Sequence, residues 1–427
     1  MPELATLRQL FQVRLVPALA HRDYRVMWYG HVVGESASWA LGAAEGWLVF
    51  TLAQDNPSSW VGAVFLAAMI PWFVVPVLVG YLTDRFVRRD ILALAYAVSL
   101  LHGLALTVLV FTGDIQIWHV LVLAFVNGIA RAVHMGAIES LAADLVPRDN
   151  LPNAYALVNA GYYATRLIGP GVIAPLLGVV GLKWIFLACS GFYALGLILV
   201  LQIVTVSTGA VEPGKGLVYN VLSGFRYVYS DRVLRSVIFL VLFHCTLVMS
   251  FESMLPAISG NRLGTGAGGV AYLHMMVGVG ALIAAFALAP LRGEGLRGRL
   301  LLVTAVVSSL GNVILGIAPS LPIAALGTVV MGVSHTGFMT LATIMIQTVA
   351  PDALRGRITS IYLIHAGGIM GFSYFVNGAL ADVFNPAWIL TVGGLSFLGV
   401  VVASLFMATP RSLYRAGVPS PIGADTA

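Results

Sequence analysis

His31, Glu35, Ser38, Gly42 and Glu45 follow one another at steps of four, three, four and three residues. That spacing puts all five on one face of an α-helix. They sit inside an apolar stretch read as 25–52. An ionisable group at the centre of a bilayer costs about 2.5–3.5 kcal/mol on insertion scales. Such a stripe must therefore face a cavity or polar neighbours. At 1.5 Å of rise per residue, Glu35 lies about 15 Å from the nearer face, close to the midplane, and Glu45 lies in the outer third. Carboxylates so placed can take up and release protons or pair with a charged solute. The competing reading is a polar network that only locks helices together.

Arg131 and Arg166 also fall near mid-depth, in stretches 117–142 and 153–180. Arginine stays charged, so each needs an anionic partner. Asn127, Arg131 and His134 share a helix face. The spacing predicts a pairing of Glu35 with Arg131 or with Arg166, and Glu139 is a competing partner. In the second half of the chain, His244 and Glu252 lie in stretch 234–258 and His335 in 322–347. No basic residue stands at the depth of Glu252, so it reads as a buried, unpaired carboxylate suited to carrying a proton. His102, His274 and His365 are lone histidines in apolar helices and read as satisfied packing residues rather than ligands.

The elements that must position these groups follow from composition. The chain is 59% hydrophobic and 10% charged, against about 25% charged in soluble domains. A soluble fold of 427 residues could not cover its surface with so few charges. Twelve apolar stretches can be marked: 25–52, 58–82, 90–112, 117–142, 153–180, 183–206, 234–258, 268–291, 299–318, 322–347, 357–382 and 386–408. Each is long enough for a ~30 Å hydrocarbon core. They must be helices, because lipid offers the backbone no hydrogen bonds, and no ten-residue alternation of the barrel type occurs. The expected fold is an all-α membrane protein of two pseudo-symmetric six-helix bundles. The bundles take residues 25–206 and 234–408. A 1–24 amphipathic segment (Leu7, Leu10, Phe11, Leu15) precedes them, a loop 207–233 joins them, and a tail 409–427 follows.

Sidedness follows from the basic residues. With the N-terminus inside, 19 of the 23 Lys and Arg fall in the even turns and termini, and only Lys183 and Arg262 in the odd turns. Both termini are then cytoplasmic. A net charge of +5 is spread over helix ends rather than along a stripe, which argues against nucleic acid. Cys189 and Cys245 lie within apolar stretches and read as buried thiols. Arg14 interrupts any signal-peptide core. Gly209–Gly216 resembles a phosphate loop but ends in Gly216 where a Ser or Thr would bind magnesium, so it reads as a linker. No nucleophile elbow or metal motif appears, and no enzyme activity or cofactor is expected.

The turn Gly80-Tyr81-Leu82-Thr83-Asp84-Arg85-Phe86-Val87-Arg88-Arg89 is charged and flanked by two membrane-length stretches. Asp84 and Arg88 stand four apart, a spacing for an ion pair on one helix. Asp144, at the inner end of 117–142, is placed to bind an arginine of this turn. Pro147-Arg148-Asp149 and Pro351-Asp352 repeat at an offset of 204, and Glu45 and Glu252 at 207. These echoes suggest duplicated bundles with a site between them.

On these residues the chain resembles the major facilitator superfamily. Gly80, Asp84, Arg85, Arg88 and Arg89 are similar to its loop between spans two and three. Leu145–Ala154, and Gln347 with Pro351–Arg357, are similar to turns of its drug:proton exporters of the enterobactin-exporter and macrolide-efflux type. The resemblance implies that Asp84, with Gly80, Arg85, Arg88 and Asp144, closes an inner gate. Two features depart from it. Gly169-Pro170-Gly171-Val172 is followed by Ile173 and Ala174 rather than a glycine pair, and Leu291–Arg299 lacks the loop aspartate.

The expected function is proton-coupled efflux of an amphipathic small molecule, drug-like or siderophore-like, by alternating access in a bacterial cytoplasmic membrane. Glu35, Glu45, Arg131, Arg166, Glu252 and His335 are the expected substrate and proton residues. The expected partners are a small-molecule substrate, protons and the bilayer, with the chain acting as a monomer. Uptake, lipid flipping, or a non-transporting sensor or assembly role on the same fold are the alternatives.

Overall fold

The computed structural model describes residues 17–207, 217–288, 291, 293–351 and 354–418; side chains at 80, 81, 84, 177–179 and 217–221 are outside the description. The amphipathic segment expected within 1–16 therefore lies outside the described residues. Those described form helices joined by short turns, with no strand among them. Twelve rods run antiparallel, neighbour to neighbour. The first six are Arg22–Leu52; Pro57–Met69 continued by Val75–Arg85; Arg88–Thr112; Ile117–Asp144; Leu151–Val180; and Leu182–Leu201. The second six are Arg232–Leu247 continued through Ile258–Arg262; Gly266–Leu288; Glu294–Ile317; Leu321–Val349; Arg355–Leu363 continued by Ile369–Val383; and Pro386–Leu405. Ten of the rods are long and apolar enough to cross a membrane. The other two, the first and fifth, are 31 and 30 residues long and bundle with the ten.

Lipid is the outer solvent. On the third span Leu94, Leu101 and Val108, seven residues apart, are 66%, 65% and 58% exposed. A row of large apolar side chains at that spacing could not be left facing water. The described buried apolar residues form two large cores and a small third cluster of Val75, Val79 and Ala132. One draws on 18–203 with Ala271, and the other on 228–414 with Ala43. Each bundle thus packs most of its own interior, and the two meet along a seam with a few shared apolar contacts.

Three spans are locally irregular. The second breaks into a 3-10 turn at Ile70–Phe73, where Pro71 and Pro76 remove helical donors. The seventh passes through a 3-10 turn at Met249–Met254 and a π-turn at Ile258–Arg262. The eleventh carries a π-turn at Ile364–Gly368. A π-turn holds one residue more than the helix needs, and such turns recur at functional sites.

Two regions expected as irregular are helical. Within the 207–233 loop, Leu217–Ser230 forms a helix. Its Val228 is fully buried, the Tyr229 hydroxyl lies 2.7 Å from His365 Nε2, and Arg357 Nη1 donates to Ser223 Oγ at 3.0 Å. The amphipathic period of 217–230 was masked by the Pro213-Gly214 punctuation before it. Within the 409–427 tail, Ala408–Ala416 is a short helix that buries Leu413 and Tyr414. His365, read as a satisfied packing residue, is hydrogen-bonded to Tyr229 and to the Ile361 carbonyl.

Candidate transport site

Between the bundles lies a cavity of about 1590 Å³. It runs from Glu45 and Phe65 past Glu35, Arg131, Arg166, Glu252 and His335 to Arg85, Arg355 and Arg357 at the basic face. Trp39, Trp72, Tyr162, Tyr163 and several methionines supply the apolar part of its wall. Both bundles contribute, so a bound solute would touch each. An amphipathic pocket of this kind suits an amphipathic ligand.

Glu35 sits at mid-depth on the first span, buried. Its Oε1 is 3.3 Å from His134 Nδ1 and its Oε2 is 3.9 Å from Arg131 Nη2. The second distance is too long for a hydrogen bond. Among the described residues Oε2 is buried with no hydrogen-bond partner, as is Arg131 Nε. His134 is fixed from behind: its Nε2 lies 3.0 Å from Tyr96 Oη, which donates to the Gly30 carbonyl at 2.9 Å. The His31 ring stacks on His134 at 5.5 Å between centroids. The sequence placed Arg131 and His134 on one face, and both turn toward Glu35.

Arg166 does not pair with Glu35. It forms an ion pair with Glu252, on the other bundle. Its guanidinium lies 4.5 Å from the centre of the Trp39 ring, and Tyr374 Oη donates to Glu252 Oε2 at 3.0 Å. Both charges are nearly buried, at 5% and 6% exposure. The reading of Glu252 as an unpaired carboxylate is thus corrected. Its counter-charge comes from the fifth span, across the seam, where depth along its own bundle gives no clue. Tyr374 as the third member carried no signal in the sequence.

Glu45 meets His102 of the third span, with Oε1 2.7 Å from Nε2. The contact is off the hydrogen-bonding axis, since neither atom makes an aligned bond. His102, read as a satisfied packing residue, is instead set against an acid, with neither ring nitrogen in an aligned hydrogen bond among the described residues. His335 lines the cavity with its Nδ1 3.1 Å from His244 Nε2, and His244 Nδ1 faces Ser308 Oγ at 3.2 Å. His274 Nδ1 lies 3.0 Å from the carbonyl of Val270, one turn back. Among the described residues no group of three or more His, Cys, Asp or Glu is placed to hold a metal ion.

At the basic face, Arg88 Nη1 reaches Asp144 Oδ2 at 2.6 Å and the Ser140 carbonyl at 3.1 Å, and its Nε donates to the Thr83 carbonyl at 3.3 Å. One guanidinium thus ties the second, third and fourth spans. The spacing of Asp84 and Arg88 does not describe a single helix. The second span ends at Arg85, Phe86 and Val87 are extended, and Arg88 opens the third. The side chains of Gly80 and Asp84 lie outside the described residues. Arg85 is exposed and lines the cavity mouth.

At the opposite face the bundles are in contact. A Cβ at Gly62 would collide with the Tyr374–Phe375 backbone, and one at Gly378 with the Ser58–Ser59 backbone. Deeper in, beside Arg166, a Cβ at Gly278 would meet the Arg166–Leu167 backbone. Glycine there lets the second and eleventh spans, and the fifth and eighth, approach backbone to backbone. The cavity is therefore closed on that side and opens toward the basic residues.

Comparison with known proteins agrees with this architecture. A family profile described as transmembrane secretion effector matches residues 15–420. The chain is 24% identical over 392 residues to the multidrug efflux pump Tap of Mycolicibacterium fortuitum, covering 87% of this chain and 92% of that one. It is 22% identical over 368 residues to the enterobactin exporter EntS of Shigella boydii serotype 18, covering 86% and 85%. A POT family transporter crystallised with 5-aminolevulinic acid superposes with a TM-score of 0.73 at 10% identity, over 91% of this chain and 96% of that one. At that identity the fold is what is shared. With two bundles enclosing a common cavity and one profile running nearly end to end, the chain belongs to the transmembrane secretion effector family and is a secondary transporter of the major facilitator superfamily.

Proposed function

We propose that this transporter exports an amphipathic small molecule in exchange for protons, and that Glu35 is the carboxylate for which substrate and proton compete. The observation that carries the reading is the state of Glu35. It lines the shared cavity with one buried oxygen unbonded and its nearest guanidinium, on Arg131, 3.9 Å away. A carboxylate held so loosely can take a proton or a cationic group without first breaking a tight ion pair. Glu252, by contrast, is already engaged by Arg166.

The cycle follows from exclusive occupancy. In the conformation with the cavity open to the basic face, the ionised carboxylate receives substrate. After the bundles rock, a proton arriving from the other side neutralises the carboxylate and substrate leaves. A protonated Glu35 then favours the return. Each ligand shifts the equilibrium only by its differential affinity for the two states. Trp39, Tyr162 and Tyr163 supply flat apolar surface, which suits the drug and siderophore cargoes named for the relatives. Arg131 and His134 tune Glu35, while Glu45, Arg166, Glu252 and His335 shape the remaining wall. The loop from Gly80 to Arg88, with Asp144, closes the inner gate. The chain sits in a bacterial cytoplasmic membrane as a monomer with both termini inside.

The test is a pH-jump assay in proteoliposomes loaded with a panel of lipophilic cations and catecholate siderophores. The expected result is substrate movement against the imposed proton gradient, with proton counterflow seen by an internal dye. Substrate movement with no response to the gradient would overturn the proton coupling, and movement in the same direction as protons would overturn export.

A further inference from the structure

The gating residues considered so far all lie at the basic face. The opposite face holds a second set. Asp382, near the end of the eleventh span, reaches across the seam to the start of the second. Its Oδ1 accepts from the Ser58 amide at 2.9 Å, and its Oδ2 accepts from the Ser59 amide at 2.7 Å and the Ser59 hydroxyl at 2.6 Å. Ser58 and Ser59 lie in the first turn of Pro57–Met69, whose N-cap Asn56 makes no side-chain capping bond. The first amides of a helix have no partner within it, and they attract negative charge. Here the cap is supplied by the other bundle.

We infer that Asp382 is a gate residue for the opposite face: by capping the second span in trans it stabilises the conformation whose cavity opens to the basic face. Three features converge. The three bonds run between bundles, so the seam cannot open there without breaking them. Their donors include two backbone amides that would otherwise face the seam uncapped. The Gly62 and Gly378 contacts lie on the same pair of spans within two turns, so separation of the Asp382 bonds and of the backbones is one event. Charge-assisted bonds of this kind are stronger than neutral ones. Rocking to the other conformation therefore trades this cap for water. The inference requires only that the bundles rock, and it holds whatever the cargo or coupling ion.

The experiment reads conformation rather than transport. Cys189 and Cys245 are buried and free, so spin labels can be placed at Gln54 and Pro319 for one face and at Asp149 and Ser412 for the other, all on exposed positions or turns. Distances are measured by pulsed electron resonance on the full chain in nanodiscs. With Asp382→Ala, the Gln54–Pro319 distance should lengthen and the Asp149–Ser412 distance shorten, with the outward-open fraction rising about tenfold. Ser59→Ala removes one donor of three and should move both distances the same way by less. Asp382→Glu should recover part of the shift. Loss of thermal stability with unchanged distances in Asp382→Ala would mean a merely structural contact and overturn the inference. Should Asp382→Ala fail to fold, Ser59→Ala decides: unchanged distances in that protein overturn the inference equally.

Discussion

Arg166 and Glu252 are ion-paired across the seam between the two bundles. A charge contact at the heart of the cavity thus belongs to neither half alone. Removing one member leaves the other buried without a counter-charge, which costs about 3–5 kcal/mol in comparable cases. Arg166→Gln and Glu252→Gln should each lower the melting temperature in detergent. The double substitution should be milder than the two effects added, as a double-mutant cycle would read out.

Glu35→Gln should abolish transport driven by a pH gradient in proteoliposomes while leaving elution and melting behaviour close to wild type. Counterflow of substrate without a gradient should weaken as well, because the amide imitates the neutral carboxyl that releases substrate. Coupling that survives the substitution would remove Glu35 from the proton pathway.

Arg88 and Asp144 are partly exposed, with side chains at 15% and 28%. Pairs of this kind contribute about 0–1 kcal/mol to stability. Asp144→Ala should therefore melt almost as wild type but show a changed transport rate if the pair serves the inner gate proposed above, since it joins the third and fourth spans at the basic face. A drop in stability of several kcal/mol with an unchanged rate would assign the pair to folding instead.

Gly280 and Gly332 face each other on the eighth and tenth spans. A Cβ at Gly280 would lie 2.9 Å from Gly332 Cα, and one at Gly332 would lie 3.1 Å from the Ala281 amide. Gly280→Val should force the spans apart and cost about 1–3 kcal/mol. Gly42, with open space beside it, should accept alanine with no loss of stability. Melting curves of the two variants give the comparison.

His102→Ala leaves Glu45 buried without its 2.7 Å neighbour. An orphaned buried polar group costs about 1–3 kcal/mol. His102→Gln, which keeps a polar group beside Glu45, should recover part of that loss in the same melting assay.

The helical spans were legible because each rests on a property of a single segment, an apolar run of sufficient length. Glu35 was legible for the same reason, as a carboxylate at mid-depth on a polar stripe. The partners of the remaining charges were not. Glu252 finds Arg166 at a separation of 86 residues, and Glu45 finds His102 on a different span. Helical periodicity says which face a residue occupies, but not which helix lies opposite. Arg88 misled for a local reason. Four-residue spacing implies a shared face only while the helix continues, and here Phe86 and Val87 break it. Asp382 stands near the end of an apolar run beside Val383 and Phe384, where an acid reads as an ordinary aqueous terminus. Its use as a cap depends on the second span starting beside it.

The π-turn at Ile364–Gly368 sets the azimuth of everything after it. Ile361 and Tyr362 before the turn, and Met370 and Tyr374 beyond it, all look into the same chamber. Rewinding the same residues as regular α-helix, with none removed, would swivel the segment beyond by about 100°, carrying the Tyr374 hydroxyl off Glu252 and Gly378 off the second span. The lengthened turn thus acts as a phase adjuster, keeping two half-helices in step with different neighbours.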